Sequence, residues 1–248
     1  MNLAGKTVIV TGGGRDIGRA CVMELAARGA NVAINYFASS QGADSAVDEI
    51  KTAGGKAFAQ QGDMTKEADV TALVSKTVNT FGQVDSLIHV TGGILKRVPL
   101  AEMTLDHWQA VMDVNLTSFV LMVRACLPHM PQGSSIVGLA SQAGRDGGGP
   151  GASAYGASKG ALMTLTRGLA KELGPKVRVN SICPGMIDTD FHNLFTKPEV
   201  RAHVANVTPL KREGTSQDVA NLAVFLASDE AAFITGTNVD INGGTLFS

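Results

Sequence analysis

The chain has 248 residues, of which 44% are hydrophobic and 17% charged, and its formal net charge is -1. That length allows one large domain with a substantial core, and that composition argues against disorder. The near-neutral balance gives no electrostatic reason to expect nucleic acid or an anionic membrane as partner.

Short β-branched runs alternate with longer helical patterns along the whole chain. The first strand is expected at 7–11 and runs into Thr11-Gly12-Gly13-Gly14-Arg15-Asp16-Ile17-Gly18. A helix follows at 17–28, stopped by Gly29. Glycines at a strand-to-helix turn let the backbone approach a pyrophosphate, and the helix start supplies N–H donors. The second strand, 31–35, ends in Asn35-Tyr36-Phe37-Ala38-Ser39-Ser40. A carboxylate there would bind a ribose 2′-hydroxyl. Its absence, the neutral donors Asn35, Tyr36 and Ser39, and Arg15 in the first turn suit a 2′-phosphate, hence NADPH over NADH. A helix at 41–53 and a strand at 57–60 follow, and then Gly62-Asp63-Met64-Thr65. Asp63 either accepts a hydrogen bond from an adenine amine or caps the helix expected at 66–81.

The fourth strand, 86–90, ends in His89-Val90-Thr91-Gly92. The next helix, 105–127, contains Asn115, a mediocre helix former whose side chain competes for backbone hydrogen bonds. A surface position and a buried, backbone-bonding or water-holding one are both open. The fifth strand, 135–139, leads to Ser141, either a turn residue or a donor to a substrate oxygen. The glycine-rich stretch Gly144-Arg145-Asp146-Gly147-Gly148-Gly149-Pro150-Gly151 precedes a helix at 154–173. Tyr155 and Lys159, four apart, share a face of that helix, and an ammonium beside a phenol lowers its pKa. That makes the phenol usable as an acid or base near neutral pH. Gly174 and Pro175 read as the helix stop. The sixth strand, 177–182, is followed by a less regular excursion at 193–214, read as a short helix and a loop, then a helix at 217–227 and a seventh strand at 238–241.

This order implies an α/β fold: a doubly wound parallel seven-stranded sheet of Rossmann type, with helices on both faces. No repeat or linker divides the chain, so one domain, 1–248, is expected to bind dinucleotide and carry catalysis. The excursion around 190–214 leaves the carboxyl ends of the strands, where ligands bind such sheets, and suits a substrate lid. Cys21, Cys126 and Cys183 are widely spaced and odd in number, which argues against a disulfide framework. They make no metal-like spacing with the histidines and read as small buried hydrophobes. No run approaches ~20 uninterrupted apolar residues, so no membrane span is expected. Gly12, Gly13 and Gly14 break the first apolar run, unlike a secretory signal, so a cytoplasmic protein is the simplest expectation.

Taken together, the glycine turn, Asp63, Asn115, Ser141, Tyr155, Lys159, Pro184-Gly185-Met186-Ile187-Asp188-Thr189 and the ending 234–244 resemble the short-chain dehydrogenase/reductase family. The likeness runs from Lys6 to Gly244, and the pattern looks most like 3-oxoacyl-(acyl-carrier-protein) reductases. It implies a catalytic tetrad of Asn115, Ser141, Tyr155 and Lys159. Ser141 would polarise a carbonyl and Tyr155 would deliver the proton as hydride leaves the nicotinamide. Lys159 would bind nicotinamide-ribose hydroxyls and lower the phenol's pKa, and Asn115 would hold a water linking Lys159 to a proton relay. It also implies cofactor contacts from Gly12, Gly14, Asp16, Ile17, Gly18, Asp63, Met64, Tyr155, Pro184 and Gly185. Ile187 and Thr189 would meet the carboxamide and Gly92 the adenosine ribose. A small-molecule carbonyl or alcohol substrate, possibly carried on acyl-carrier protein, and a homotetramer are implied as well.

Three departures stand out. Asp16 occupies a position usually glycine; it is expected to cap the helix and to pair with Arg19 or Arg15. His89-Val90-Thr91-Gly92 stands where the family usually has Asn-Asn-Ala-Gly, and His89 reads as a satisfied core histidine. Tyr155 lies fourteen positions after Ser141, about one more than is common, so the glycine loop must absorb a residue or Ser153 would have to substitute poorly. An acidic carrier protein needs basic surface near the entrance. The segment 126–133 is poor in fixed positive charge, leaving Arg124, Arg167 and Lys171 as candidates. Met186, Phe191, Leu194 and Phe195 favour a partly apolar substrate. A dehydrogenase of a small alcohol or sugar, or a non-catalytic NADP(H)-binding sensor, are the alternatives.

Overall fold

A computed structural model of the chain describes residues 1–247. Seven strands form one sheet: β1 (Thr7–Thr11), β2 (Asn31–Tyr36), β3 (Lys56–Gln61), β4 (Ser86–His89), β5 (Ser134–Leu139), β6 (Val177–Pro184) and β7 (Asn238–Ile241). Their order is β3-β2-β1-β4-β5-β6-β7, and every neighbouring pair is parallel. Winding reverses between β1 and β4, where Val8 faces Ser86 and Thr11 faces His89. The crevice beyond the carboxyl ends of these two strands is the place such sheets bind ligands.

Period-2 alternation distributes each strand between two cores. Val8 and Val10 meet α1 (Asp16–Ala27), α2 (Ser40–Thr52) and α10 (Ser216–Ala227) through Val22, Leu25, Ile50 and Val224. Ile9 points the other way, into Leu73 of α3 (Glu67–Phe81), Phe119 and Met122 of α5 (Ser118–Cys126), and Leu162 of α7 (Ser153–Leu173). A fully buried side chain of this kind contributes about 1.5–3 kcal/mol over an exposed one, so both faces hold the sheet. The three cysteines are free and buried in these cores.

Four local expectations change. The helix expected over 105–127 is α4 (Leu105–Met112), a wider π turn (Asp113–Thr117) and α5. Its run Leu105–His129 is apolar and long enough by composition to cross a membrane, with a mean hydropathy of 1.5 in its best window. Polar Asp106, Gln109, Asp113 and Asn115 interrupt it, and its inner face packs on α3 and α7. Gly29 ends α1 in the left-handed region as expected (φ 86°), but Gly174 is extended (φ -69°) and stops α7 without that turn. The glycine stretch contains a short helix, α6 (Ala143–Asp146), and the excursion contains α8 (Asp190–Phe195) and α9 (Pro198–Val207). Neither α8 nor α9 buries any residue fully, so neither carries a strong apolar stripe to reveal it in the sequence.

Candidate active site

The glycine turn is a close-packed cradle. Gly12 sits in the left-handed region (φ 65°), and a Cβ on Gly18 would run into the Gly12 carbonyl. Gly14 lies against Ser39, which precedes α2, so the two predicted residues meet. Ile17 packs against the core beside them. Arg15 is exposed, and Tyr36 and Ser39 are half-buried at the same rim. Asn35 is different. It is buried, accepts from Gly12 N–H at 3.3 Å and donates to the Gly62 carbonyl at 3.0 Å. Its side chain therefore shapes the turn from behind. Asp63 accepts from the Thr65 N–H and hydroxyl through Oδ1, both ahead of α3, so it closes a turn and does not cap that helix. Met64 is a core side chain.

Asp16 takes up the left-handed region too (φ 47°), which an aspartate tolerates better than most residues. It makes no cap bond to its own helix. Arg15 lies 3.8 Å from it, while Arg19 pairs with Glu49 at 2.6 Å, so of the two expected partners only Arg15 is present.

At the end of β4, His89 is buried and fully bonded. Its Nε2 is 3.1 Å from the Ser118 hydroxyl and its Nδ1 3.1 Å from the Thr11 hydroxyl. The Ser118 proton goes to the Val114 carbonyl, so Nε2 must donate and Nδ1 must accept. The Thr11 oxygen then accepts from the N–H groups of Val90 and Thr91. Burial pushes the imidazole down to about 3, with Lys159 adding to the effect. His89 thus ties β1 and α5 to the loop carrying Gly92. Sequence reading identified the histidine but not its partners Thr11 and Ser118, which lie far from it in the chain.

That loop meets Asn115. The Asn115 amide donates to the carbonyls of Gly93 (2.8 Å) and Val111 (2.9 Å), and its oxygen accepts the Gly93 N–H (2.9 Å). Of the two open readings, the buried, backbone-bonding one describes it. Gly92 lies where a Cβ would come within 2.7 Å of the Asn115 oxygen and 2.9 Å of Lys159 Nζ. Only glycine leaves that space open.

Ser141, Tyr155 and Lys159 converge at the carboxyl end of β5. Lys159 is buried, and its Nζ donates to the Leu139 carbonyl at 2.6 Å and stands 5.7 Å from the Tyr155 ring centre. Burial pushes this amine down to about 8. Burial also pushes the Tyr155 phenol up, and the Ser141 hydroxyl beside it acts in the opposite direction. Lys159 is not among the groups that shift the phenol here, because its ammonium turns toward Leu139. Ser141 and Tyr155 are brought together across the longer loop. Positive φ at Gly147, Gly148 and Gly151 absorbs the extra residue, and Arg145 pins α6 to Asp240 at 2.7 Å. Ser153 is exposed. This group can hold a carbonyl oxygen between two hydroxyls and pass a proton to it.

The last predicted residues form the far wall. Pro184 ends β6, Gly185 bonds to Ile241, and the Ile187 side chain is in the core, bridged through its backbone to Gly214. The Thr189 hydroxyl donates to the Ile187 carbonyl. Above them the Phe191 ring lies 5.9 Å from that of Tyr155, with Phe195 behind it at 5.3 Å. Arg97 holds this region through the carbonyls of Phe195 and Pro150, and Arg201 through Asp188 and Glu213. Neither arginine carries a local sequence signal, since their partners are remote or backbone atoms. Among the described residues, no cluster of His, Cys, Asp or Glu could hold a metal ion.

A family model described as Enoyl-(Acyl carrier protein) reductase matches residues 12–245. The 3-oxoacyl-[acyl-carrier-protein] reductase of Staphylococcus epidermidis is 36% identical over 242 residues, covering 96% of this chain and 98% of that protein. A blue fluorescent protein from a metagenomic library, solved in complex with NADPH, superposes with a TM-score of 0.93 at 35% identity over 100% of both chains. A short-chain dehydrogenase from Burkholderia cenocepacia in complex with NADP gives 0.92 at 35% identity, covering 98% of this chain and 99% of that one. With the glycine cradle, the reversing sheet and the Ser-Tyr-Lys group already in place, these matches establish that the chain belongs to the short-chain dehydrogenase/reductase family of oxidoreductases.

Proposed function

We propose that this chain reduces a carbonyl to an alcohol with NADPH, and that Tyr155 is the proton donor. The observation that carries this reading is the convergence of Ser141, Tyr155 and Lys159 beside the glycine cradle. The residues fit a dinucleotide: Gly14 and Gly18 let the turn pack directly on Ser39 and the Gly12 carbonyl, so its backbone carries no side chain there, and Gly92 keeps a side chain out of the space before Asn115 and Lys159. NADPH supplies the hydride. Arg15, with Tyr36 and Ser39 at its rim, meets the 2′-phosphate, while Asn35 acts only by fixing Gly12. Asp63 and Met64 line the adenine end through Oδ2 and backbone. Pro184, Gly185, Ile187 and Thr189 line the nicotinamide end, mainly through backbone.

In the reaction, the Ser141 hydroxyl donates to the substrate oxygen and the Tyr155 hydroxyl gives it a proton. Lys159 would hold the ribose hydroxyls, and its charge beside the phenol lowers the phenol's pKa as the proton leaves. The side chain of Asn115 is taken up by Gly93 and Val111, so any water it holds meets a backbone group of the π turn. One domain carries both sites, and residues 190–214 act as the lid.

The family likeness supports a 3-oxoacyl thioester or similar ketone as substrate. A second reading, a small free ketone, alcohol or sugar, rests on charge. Arg97, Arg145 and Arg201 are all engaged by protein groups and Arg124 pairs with Glu67, so of the basic candidates for an acidic carrier protein only the exposed Arg167 and Lys171 stand apart from an ion pair among the described residues. NADPH and NADH oxidation with 3-oxoacyl thioesters and small ketones, each with and without carrier protein, separates these readings. Tyr155→Phe should lower kcat by about 10²-fold or more, with NADPH affinity changed much less than kcat. Turnover retained in that variant overturns the assignment of Tyr155. NADPH binding without turnover of any substrate by the wild type favours the non-catalytic sensor.

A further inference from the structure

Asp16 is the departure that the reaction does not use, and it reaches across to the lid. Its Oδ1 accepts the Asp190 N–H at 3.4 Å, 174 residues away in sequence, and Arg15 bridges to the Asp190 carboxylate at 3.3 Å. The contact continues through the lid. Asn193 donates to Asp190 at 3.4 Å, and Arg201 donates to Asn193 at 2.5 Å and to Asp188 at 2.6 Å. Glycine at position 16 would satisfy the left-handed backbone without strain, but it could not make this bond.

We propose that Asp16 is a positioning residue for the reaction: its carboxylate docks the start of the lid onto the cofactor turn. This inference rests on the reading of residues 190–214 as a substrate lid over an NADP(H) site. The pairing brings a ligand consequence. Arg15 bridges Asp16 and Asp190 and also stands at the rim assigned to the 2′-phosphate, so lid and cofactor share one guanidinium. The aromatic roof over Tyr155, made by Phe191 and Phe195, belongs to the same short helix that Asp16 holds. The docking bond is made against a cost. Burial and the carboxylates of Asp190 and Asp188 raise its carboxyl, and the Asp190 N–H and Arg15 act against them.

Three substitutions in the full-length chain test it. D16G keeps the backbone conformation and removes the acceptor. D16N keeps an acceptor oxygen on a residue that also tolerates positive φ. D190P removes the N–H at the first position of a helix, where proline is favoured, after a Thr189 that is already extended (φ -156°, ψ 162°). The readouts are ketone KM and kcat with saturating NADPH, and the rate of chymotryptic cleavage within 191–195, followed by mass. D16G should raise KM and the cleavage rate about fivefold, with kcat changed less than about twofold, and D190P, which also removes the carboxylate held by Arg15 and Asn193, should raise them at least as much. D16N should stay within about twofold of wild type, and the D16G/D190P pair should be no worse than D190P alone. Wild-type values in D16G, or losses that multiply in the pair, overturn the docking role. Absence of ketone turnover in the wild type would instead refute the ketone-reductase reading, while cleavage within 191–195 still judges the contact.

Discussion

His89 shows how one residue can replace a family motif by different chemistry. Its imidazole is buried, accepts from Thr11 and donates to Ser118, so it holds the Gly92 loop only while neutral. Its folded pKa, about 3, lies below its ordinary value of 6.5. The sign follows: the unfolded chain binds the proton first as pH falls, so the neutral form's stability is fully present above about 6.5 and is lost toward about 3. Between pH 7 and pH 5 this single group should remove about 2 kcal/mol of stability. Urea unfolding of the wild type and of His89→Asn at both pH values measures it, because the asparagine variant lacks the titrating ring. Equal losses in the two proteins would rule His89 out as the source. The sequence alone placed His89 at a strand end among apolar neighbours, which was enough to read a core histidine. Its tautomer depended on Ser118 and Val114, whose contacts exist only after folding.

The helix around Asn115 raises the same issue at the level of an element. Apolar periodicity made 105–127 one helix, and apolar periodicity does not register a single widened turn. The chain widens at Asp113–Thr117, and the Asn115 amide takes the Val111 carbonyl that a regular α-helix would bond through backbone. The same side chain satisfies both the N–H and the carbonyl of Gly93. Asn115→Ala should therefore leave two polar groups of a tight loop unpaired, at about 1–3 kcal/mol for each that is denied water. The measurement is chemical denaturation, with NADPH affinity as the second readout, since Gly92 and Lys159 share that loop's packing. Unchanged stability would mean that the turn is held by its backbone alone. Strands and long helices were legible because their burial repeats with period 2 or 3.6. The short α6 was not, because Arg145 anchors it and no apolar stripe does, and the excursion read as one short helix and a loop holds two helices, α8 and α9, anchored through Arg97 and Arg201.

For the whole molecule, the sheet order places every chemistry-bearing turn at one edge. The switch between β1 and β4 brings Gly12, His89 and Gly92 together, and the next strands add Ser141 and Pro184. That convergence followed from parallel strands and right-handed crossovers, so the site's general position was readable before any contact was known. Surface association was not, because it depends on which apolar side chains the fold leaves outside. The run Leu105–His129 has a mean hydropathy of 1.5, yet only 39% of its best window is buried in the single chain. Leu105 (83%), Trp108 (37%) and Val120 (42%) remain exposed along it. Exposed apolar side chains on two consecutive helices favour association, and a second copy of the same chain offers the same side chains to match them. We expect the protein to run as a homotetramer, with α4 and α5 in one of its interfaces. A charge in such an interface must be desolvated without a partner, so Val120→Asp should shift the assembly to smaller species. Light scattering coupled to size exclusion measures the mass of both proteins at the same concentration, and far-ultraviolet circular dichroism checks that the variant is folded. A folded variant with the wild-type mass would place the interface elsewhere, and a monomeric wild type would leave the face exposed in solution.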